Sequence, residues 1–196
     1  MIAQTAALTL ALSILAFLAG RATGTEASQE GEPREAGFPL ATPGKFHRLL
    51  DPLQGTFTVE ATFYVPDASP VSETGKMTNS WVLGGLVLKQ AYEGGFMGVP
   101  LEGLGFLAYN DREGVYQSVW MDSMSNQISF ETSGSISKDG QTLTFRGSEF
   151  NPVDGGEVPF LDVTVFEGKN KHTFTRSYVD DEGNKTPGMR IVYTRE

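Results

Sequence analysis

The 196-residue chain contains no cysteine, which excludes disulfide staples, thiolate metal sites and cysteine nucleophiles together. Histidine is nearly absent too. His47 and His172 are the only two, too far apart in sequence for a paired-histidine zinc motif. There is no Gly-x-Ser-x-Gly elbow and no phosphate loop. Charged residues make up only 20%, beside 23 glycines and 10 prolines, a composition unlike that of a helical bundle or coiled coil. Positive charge is scarce: 15 Lys and Arg against 24 Asp and Glu leave a formal charge of −9. A surface that negative repels phosphate backbones, which excludes a nucleic-acid partner. What the chain does have is 39% hydrophobic residues, 11% of all residues being aromatic. That suffices to bury the core of one ordinary domain and excludes wholesale disorder.

No apolar run reaches the ~20 residues that cross a bilayer comfortably. The longest, Ala6 to Gly20, is uninterrupted over about 15 residues. Small residues follow it, with Ala22/Gly24 or Thr25/Ala27 fitting cleavage positions −3 and −1. This layout predicts a signal peptide over residues 1–24, with an uncleaved membrane anchor or a buried N-terminal helix as alternatives. Arg21 sits where a lipidated cysteine would be, so lipidation is excluded. The expected location is secreted or periplasmic, without stable membrane insertion after cleavage. Residues 25–42 are Glu-rich with Gly and Pro and too few apolar side chains to offset the entropy of ordering; they are expected to form a disordered tether. The domain is then residues 43–196.

Thr42-Pro43 opens a short helical expectation over Pro43–Leu50, with a hydroxyl cap and proline at the first helical position. Phe46, Leu49, Leu50 and Leu53 share its apolar stripe, and Asp51-Pro52 ends it. Beyond this, apolar residues alternate with period two between turn signals. Strands are predicted over 54–65, 72–83, 86–93, 102–109, 114–121, 127–133, 141–150, 157–166, 171–179 and 189–195. The connections include Pro66-Asp67, Gly84-Gly85, Asn110-Asp111, Asp139-Gly140, Glu167-Gly168 and Glu182-Gly183-Asn184. Roughly ten strands without intervening helices imply an all-β antiparallel meander. An open sheet of that size exposes long edges, so an up-and-down barrel is expected, with a two-sheet sandwich as the alternative. Such a barrel is either filled by its side chains or holds one ligand.

Several motifs carry a family likeness. They are His47-Arg48-Leu49-Leu50 with Gly55-Thr56-Phe57, Trp81-Val82-Leu83-Gly84-Gly85, Gly94 to Gly103, Gly105 to Asn110, and Tyr116 to Ser123 with its Tyr-x-x-x-Trp-x-Asp-Ser spacing. Together, over about residues 46–196, they resemble the bacterial family known as domain of unknown function 1579. That family looks calycin-like, which implies a lipocalin- or nitrobindin-type barrel and no named activity.

The candidate site residues follow from strand parity. Tyr116, Ser118, Trp120 and Asp122 alternate on one face, an aromatic and polar mixture suited to orienting a ligand among apolar walls; alternatively Trp120 is core and Asp122 accepts hydrogen bonds from the next turn. Trp81 lies beside Gly84-Gly85, where glycine permits close approach. Phe174, Arg176 and Tyr178 also share parity, so a core-facing Phe174 brings a guanidinium inward, where it needs a carboxylate or an anionic ligand. The Arg176-x-Tyr178 pair resembles the carboxylate clamp of fatty-acid-binding barrels, with Phe57, Phe63, Phe174 and Tyr193 as apolar walls. Asp122 or Glu149 is the alternative, internal partner. His47 is expected to cap the barrel end. His172 would be a haem ligand by analogy with nitrobindin-like barrels, or a strand-end histidine; no other cofactor is expected. Asp180 to Asn184 lacks calcium-loop spacing and reads as a hairpin turn, and no metal site is expected. The resulting expectation is an exported, non-enzymatic barrel that binds a small, largely apolar molecule, one that can carry a carboxylate. The alternatives are a filled structural or interaction module, and an enzyme acting on a small hydrophobic molecule inside the barrel.

Overall fold

The computed structural model describes residues 40–150 and 155–196. The expected signal peptide and most of the expected tether lie outside the described residues. Residues 40–196 form a single unit, in which ten strands close into an antiparallel barrel with each strand beside its neighbours in sequence. The strands are β1 (Gly55–Phe63), β2 (Val71–Val82), β3 (Val87–Phe96), β4 (Val99–Asn110), β5 (Val115–Asp122), β6 (Ile128–Ile136), β7 (Thr142–Phe150), β8 (Glu157–Phe166), β9 (Lys171–Val179) and β10 (Lys185–Arg195). β1 pairs with β10 from Phe57–Arg195 to Phe63–Met189, which closes the wall. A barrel leaves no open sheet edge, the reason closure prevails over a sandwich.

One joint in the wall is short. β6 and β7 are paired only at Ser135–Thr144 and Ile136–Leu143, and the register of β6 against β5 shifts between Tyr116 and Ser118.

The helix is shorter than its sequence suggests. It runs over Lys45–Arg48 as α1, with Gly44 rather than Thr42 at the N-cap position. The His47 Nδ1 accepts a hydrogen bond from the Gly44 N–H at 3.1 Å, replacing the expected hydroxyl cap. Asp51-Pro52 does not end the helical segment but starts a 3₁₀ turn over Asp51–Leu53, since proline lacks only an N–H that a first turn leaves unbonded anyway. Together these turns plug one end of the barrel. Leu50 and Leu53, 0% and 3% exposed, pack onto Leu88, Leu107, Tyr116, Leu143, Phe145 and Phe166. Burying each leucine stabilises the plug by about 1.5–3 kcal/mol. The Tyr116 hydroxyl donates to the Phe46 carbonyl at 2.9 Å and ties the plug to β5.

The turn between β3 and β4 was not legible. The expected strands end at Glu93 and resume at Glu102, yet β3 runs on through Gly94-Gly95 to Phe96 and β4 starts at Val99. The turn is Met97-Gly98, with φ of 50° and 78°, the signs a type I′ hairpin needs at both central positions. Gly94 stays in the strand because the Tyr92 ring lies across it, where a Cβ would collide.

That contact recurs around the inner wall. The Trp120 indole covers Gly103 and Gly105, Phe145 covers Gly134, Phe160 covers Gly147, and Tyr178 covers Gly188. Glycine in these strands therefore makes room for aromatic rings lying flat along the wall.

Candidate functional site

Strand parity and barrel closure bring all six predicted site residues to the inner wall. Register pairs Trp81 with Leu88, Tyr109 with Tyr116, Gly105 with Trp120, and Gly103 with Asp122. Arg176 stands beside Asp162 and Tyr178 beside Phe160. The six do not form one site, because they occupy three levels.

Trp81 and Tyr116 belong to the plugged end. The Trp81 Nε1 donates to Asp51 Oδ1 at 3.0 Å, and the Tyr116 phenol, 2% exposed, is pushed up to about 12 by burial and by Tyr109. Both are architecture. His47 is likewise buried in the plug, edge-on to Tyr109 with ring centroids 5.9 Å apart, as its expected capping role requires.

Trp120 and Asp122 lie farther along β5. The Trp120 Nε1 donates to Asp122 Oδ2 at 3.1 Å, and the Met124 N–H donates to Asp122 Oδ1 at 3.0 Å. Both carboxylate oxygens thus have local donors, which makes Asp122 a turn anchor rather than a partner of Arg176.

The third level is the charged centre. Arg176 donates from Nε to Asp162 Oδ1 at 2.8 Å and from Nη2 to Oδ2 at 2.6 Å, a bidentate pair. Its Nη1 donates to Glu149 Oε2 at 2.9 Å, and the Tyr178 hydroxyl donates to Glu149 Oε1 at 2.7 Å. Glu131 Oε1 lies 3.5 Å from Nη2. The guanidinium also sits 3.9 Å from the centre of the Phe160 ring. Arginine and tyrosine are therefore together, as expected, but their donors already serve internal carboxylates. Of the two internal partners considered from sequence, Glu149 is one and Asp122 is not.

Three carboxylates around one cation leave a surplus of negative charge. Burial raises the Glu131 carboxyl above its ordinary value, with the Ser118 hydrogen bond and Arg176 opposing and Asp162 adding to the rise. Burial likewise raises Asp162 against the pull of Arg176. Burial works to lower Arg176, but Asp162 outweighs it and holds the guanidinium above its ordinary value. Tyr178 is pushed up to about 12 by burial and by Glu149.

Sequence reading missed Asp162 and Glu131. Asp162 had a signal: it shares parity with Phe160 and Phe166, both buried. Glu131 had a misleading one, because its β6 neighbour Phe130 is the residue that alternation would turn inward. Phe130 instead points outward and is 67% exposed.

His172 does not fit a haem. The Tyr193 ring stacks on it at 4.3 Å and 11°, and Phe57 meets it edge-on at 4.8 Å. It is 4% exposed, and these rings fill the space a porphyrin plane would need beside it. Burial and the nearby Arg195 lower it to about 4, so it is a neutral core histidine. Among the described residues no cluster of three or more His, Cys, Asp and Glu can hold a metal ion.

On four strands exposure of the inward side chains rises away from the plug, whereas on β8 Asp162 and Phe160, each 5% exposed, stay as buried as Phe166. On β1, Phe57, Val59 and Ala61 are 0–2% exposed and Phe63 is half-buried. On β10, Tyr193 is buried while Ile191 and Met189 are half-buried; on β9, His172 is buried while Phe174, Arg176 and Tyr178 are half-buried. On β5, Tyr116 is buried and Ser118, Trp120 and Asp122 are half-buried. Four strands thus agree that the inner wall is sealed at the plug and reachable by solvent toward the other end.

Residues 42–195 match the family described as "Protein of unknown function (DUF1579)". The chain belongs to that family. This DUF1579 protein is similar in structure to Rv2717c from M. tuberculosis, with a TM-score of 0.55 and 16% identity over 78% of this chain and 98% of that one. It is also similar to the S-type phycobiliprotein lyase CPES from Guillardia theta, with a TM-score of 0.52 and 9% identity over 77% and 92% of the two chains. At such identities the likeness is one of barrel fold alone. No curated protein matches the chain.

Proposed function

We propose that this protein is an exported, non-enzymatic barrel that takes one small, largely apolar molecule through the end opposite the plug. The observation that carries this reading is the shared rise in exposure of inward-facing side chains along β1, β5, β9 and β10. A barrel of this size closed at one end and open at the other suits a single ligand. Phe63, Trp120, Phe174, Met189 and Ile191 supply apolar wall near the opening, with Ser118 and Gln90 as neutral polar groups. A carboxylate-bearing ligand is the weaker version of this reading, since it would compete with Asp162 and Glu149 for Arg176 and add a further negative charge beside them.

The aromatic rings laid over wall glycines favour a second reading, in which the barrel is filled and serves as a structural or interaction module. Titration with the uncharged fluorescent probe N-phenyl-1-naphthylamine separates the two. Single-site, saturable enhancement is expected for the wild type. It should vanish in Ile191→Trp, which fills the lumen beside Ala61 and Phe174, while circular dichroism stays unchanged. If the folded wild type takes up neither this probe, dodecylamine nor laurate, the ligand-binding reading fails and the filled barrel stands.

Export rests on the apolar run Ala6–Gly20 and the small residues after it. N-terminal sequencing of protein from the native host is expected to find cleavage between Gly20 and Ala27. An intact Met1 on cytosolic protein would end this part of the proposal.

A further inference from the structure

The outward face of β3 to β6 breaks the alternation that a solvent-facing barrel wall should keep. Ala91, Leu104, Met121 and Ile128 are successive cross-strand partners on the four strands, and all point away from the lumen. The next row is Lys89, Phe106, Val119 and Phe130. Ile128 and Phe130 are 51% and 67% exposed, so this band is not covered by the rest of the described chain. A groove of about 410 Å³ lies on its β3–β5 part, floored by Ala91, Leu104 and Met121 and bordered by Glu93, Glu102 and Ser123; Ile128 and Phe130 continue the apolar surface beyond it on β6.

Those two glutamates are directly opposed on β3 and β4. Like charges in that position destabilise a sheet. Among the described residues neither forms an ion pair; Lys76, the cross-strand neighbour of Glu93, bonds Glu196 at 3.0 Å instead. Among the described residues no ion pair offsets the repulsion. A second copy of a chain with net charge −9 brings more negative charge to the same border, so self-association is disfavoured.

We infer that this groove docks an amphipathic helix of a partner protein, with its apolar stripe on the Ala91–Leu104–Met121–Ile128 row and Lys or Arg flanking it toward Glu93 and Glu102. The spacing suits a helix. Successive positions of the row lie one strand apart, about 4.8 Å, close to the roughly 5–6 Å between i and i+3 or i+4 side chains on a helix face. The charge at the border supplies orientation, and the apolar row supplies most of the affinity.

A fluorescein-labelled 18-residue peptide with Leu at helical i, i+3, i+4, i+7 spacing and Lys elsewhere is the probe, titrated into the full chain by fluorescence anisotropy. Saturable binding is expected, weakened about tenfold by Ile128→Lys or Phe130→Ser. Both residues are exposed, so the variants should keep the wild-type melting temperature. Glu93→Gln with Glu102→Gln should weaken binding roughly fivefold and flatten its salt dependence. The proposal is overturned if a scrambled Leu/Lys peptide binds equally well, or if Ile128→Lys and Phe130→Ser both bind as the wild type does. It is also overturned if sedimentation shows a dimer that Ile128→Lys disperses, which would make a second copy the occupant.

Discussion

Arg176 is the single cation among Asp162, Glu149 and Glu131, and that imbalance makes the two kinds of partner unequal. Removing the arginine strands three carboxylates, of which Glu131 and Asp162 are each 7% exposed at the side chain. Arg176→Met should therefore cost about 3–5 kcal/mol in urea denaturation at pH 8. Removing Glu131 takes away surplus charge instead, and Glu131→Gln keeps a side-chain oxygen for Ser118. It should leave stability at pH 8 unchanged or higher. The pH dependence follows from the same groups. Glu131 and Asp162 are raised by burial, so the native state holds their protons more tightly than the unfolded chain does. Their contribution is fully present below the unfolded values of about 4 to 4.5. It is lost as pH climbs through the raised native values. The exposed Asp139, Glu167 and Asp180 are lowered by their hydrogen-bonding partners and act with the opposite sign. The difference between wild type and Glu131→Gln isolates the buried group: stability of the wild type relative to the variant should fall from pH 5 to pH 8. A difference that is flat or rises with pH would show that the native state does not hold the Glu131 proton more tightly than the unfolded chain.

Among the elements, strands were readable and their joints less so. All ten strand positions follow from period-two alternation between turn signals, because a wall with one buried face imposes that alternation. β6 is where the rule misled: with Ile128 and Phe130 outward and Glu131 inward, its hydrophobic pattern is inverted. The inversion coincides with the register shift against β5 and the two-residue ladder to β7. The wall glycines were also unreadable, since what they accommodate comes from other positions of the strand or from a neighbouring strand. For Gly105, a Cβ would lie 2.8 Å from Cε3 of Trp120. Gly105→Ala should therefore displace the indole and cost about 1–3 kcal/mol as overpacking. In a Trp81→Phe background, where Trp120 is the only tryptophan, its emission on selective tryptophan excitation should shift to longer wavelength. Unchanged emission and melting temperature would show that the ring does not rest on that glycine.

At the scale of the molecule, composition and turn spacing were enough for the barrel, and the motifs were enough for the family. The candidate site was half legible. Parity brought Arg176 and Tyr178 inward, but which carboxylates meet them depends on how β6, β7, β8 and β9 curve around one lumen, which no single strand encodes. Closure has a further consequence. The ladder that completes the wall joins residues 57–63 to residues 189–195, so the first strand waits for the tenth across almost the whole domain. Loop-closure entropy must be met before that ladder forms. During synthesis, β1 can be held by β2 while its other edge stays bare until β10 has left the ribosome. The emerging chain therefore remains an open sheet for most of its synthesis. That leaves the free edge of β1 open to capture by a chaperone before the barrel can lock.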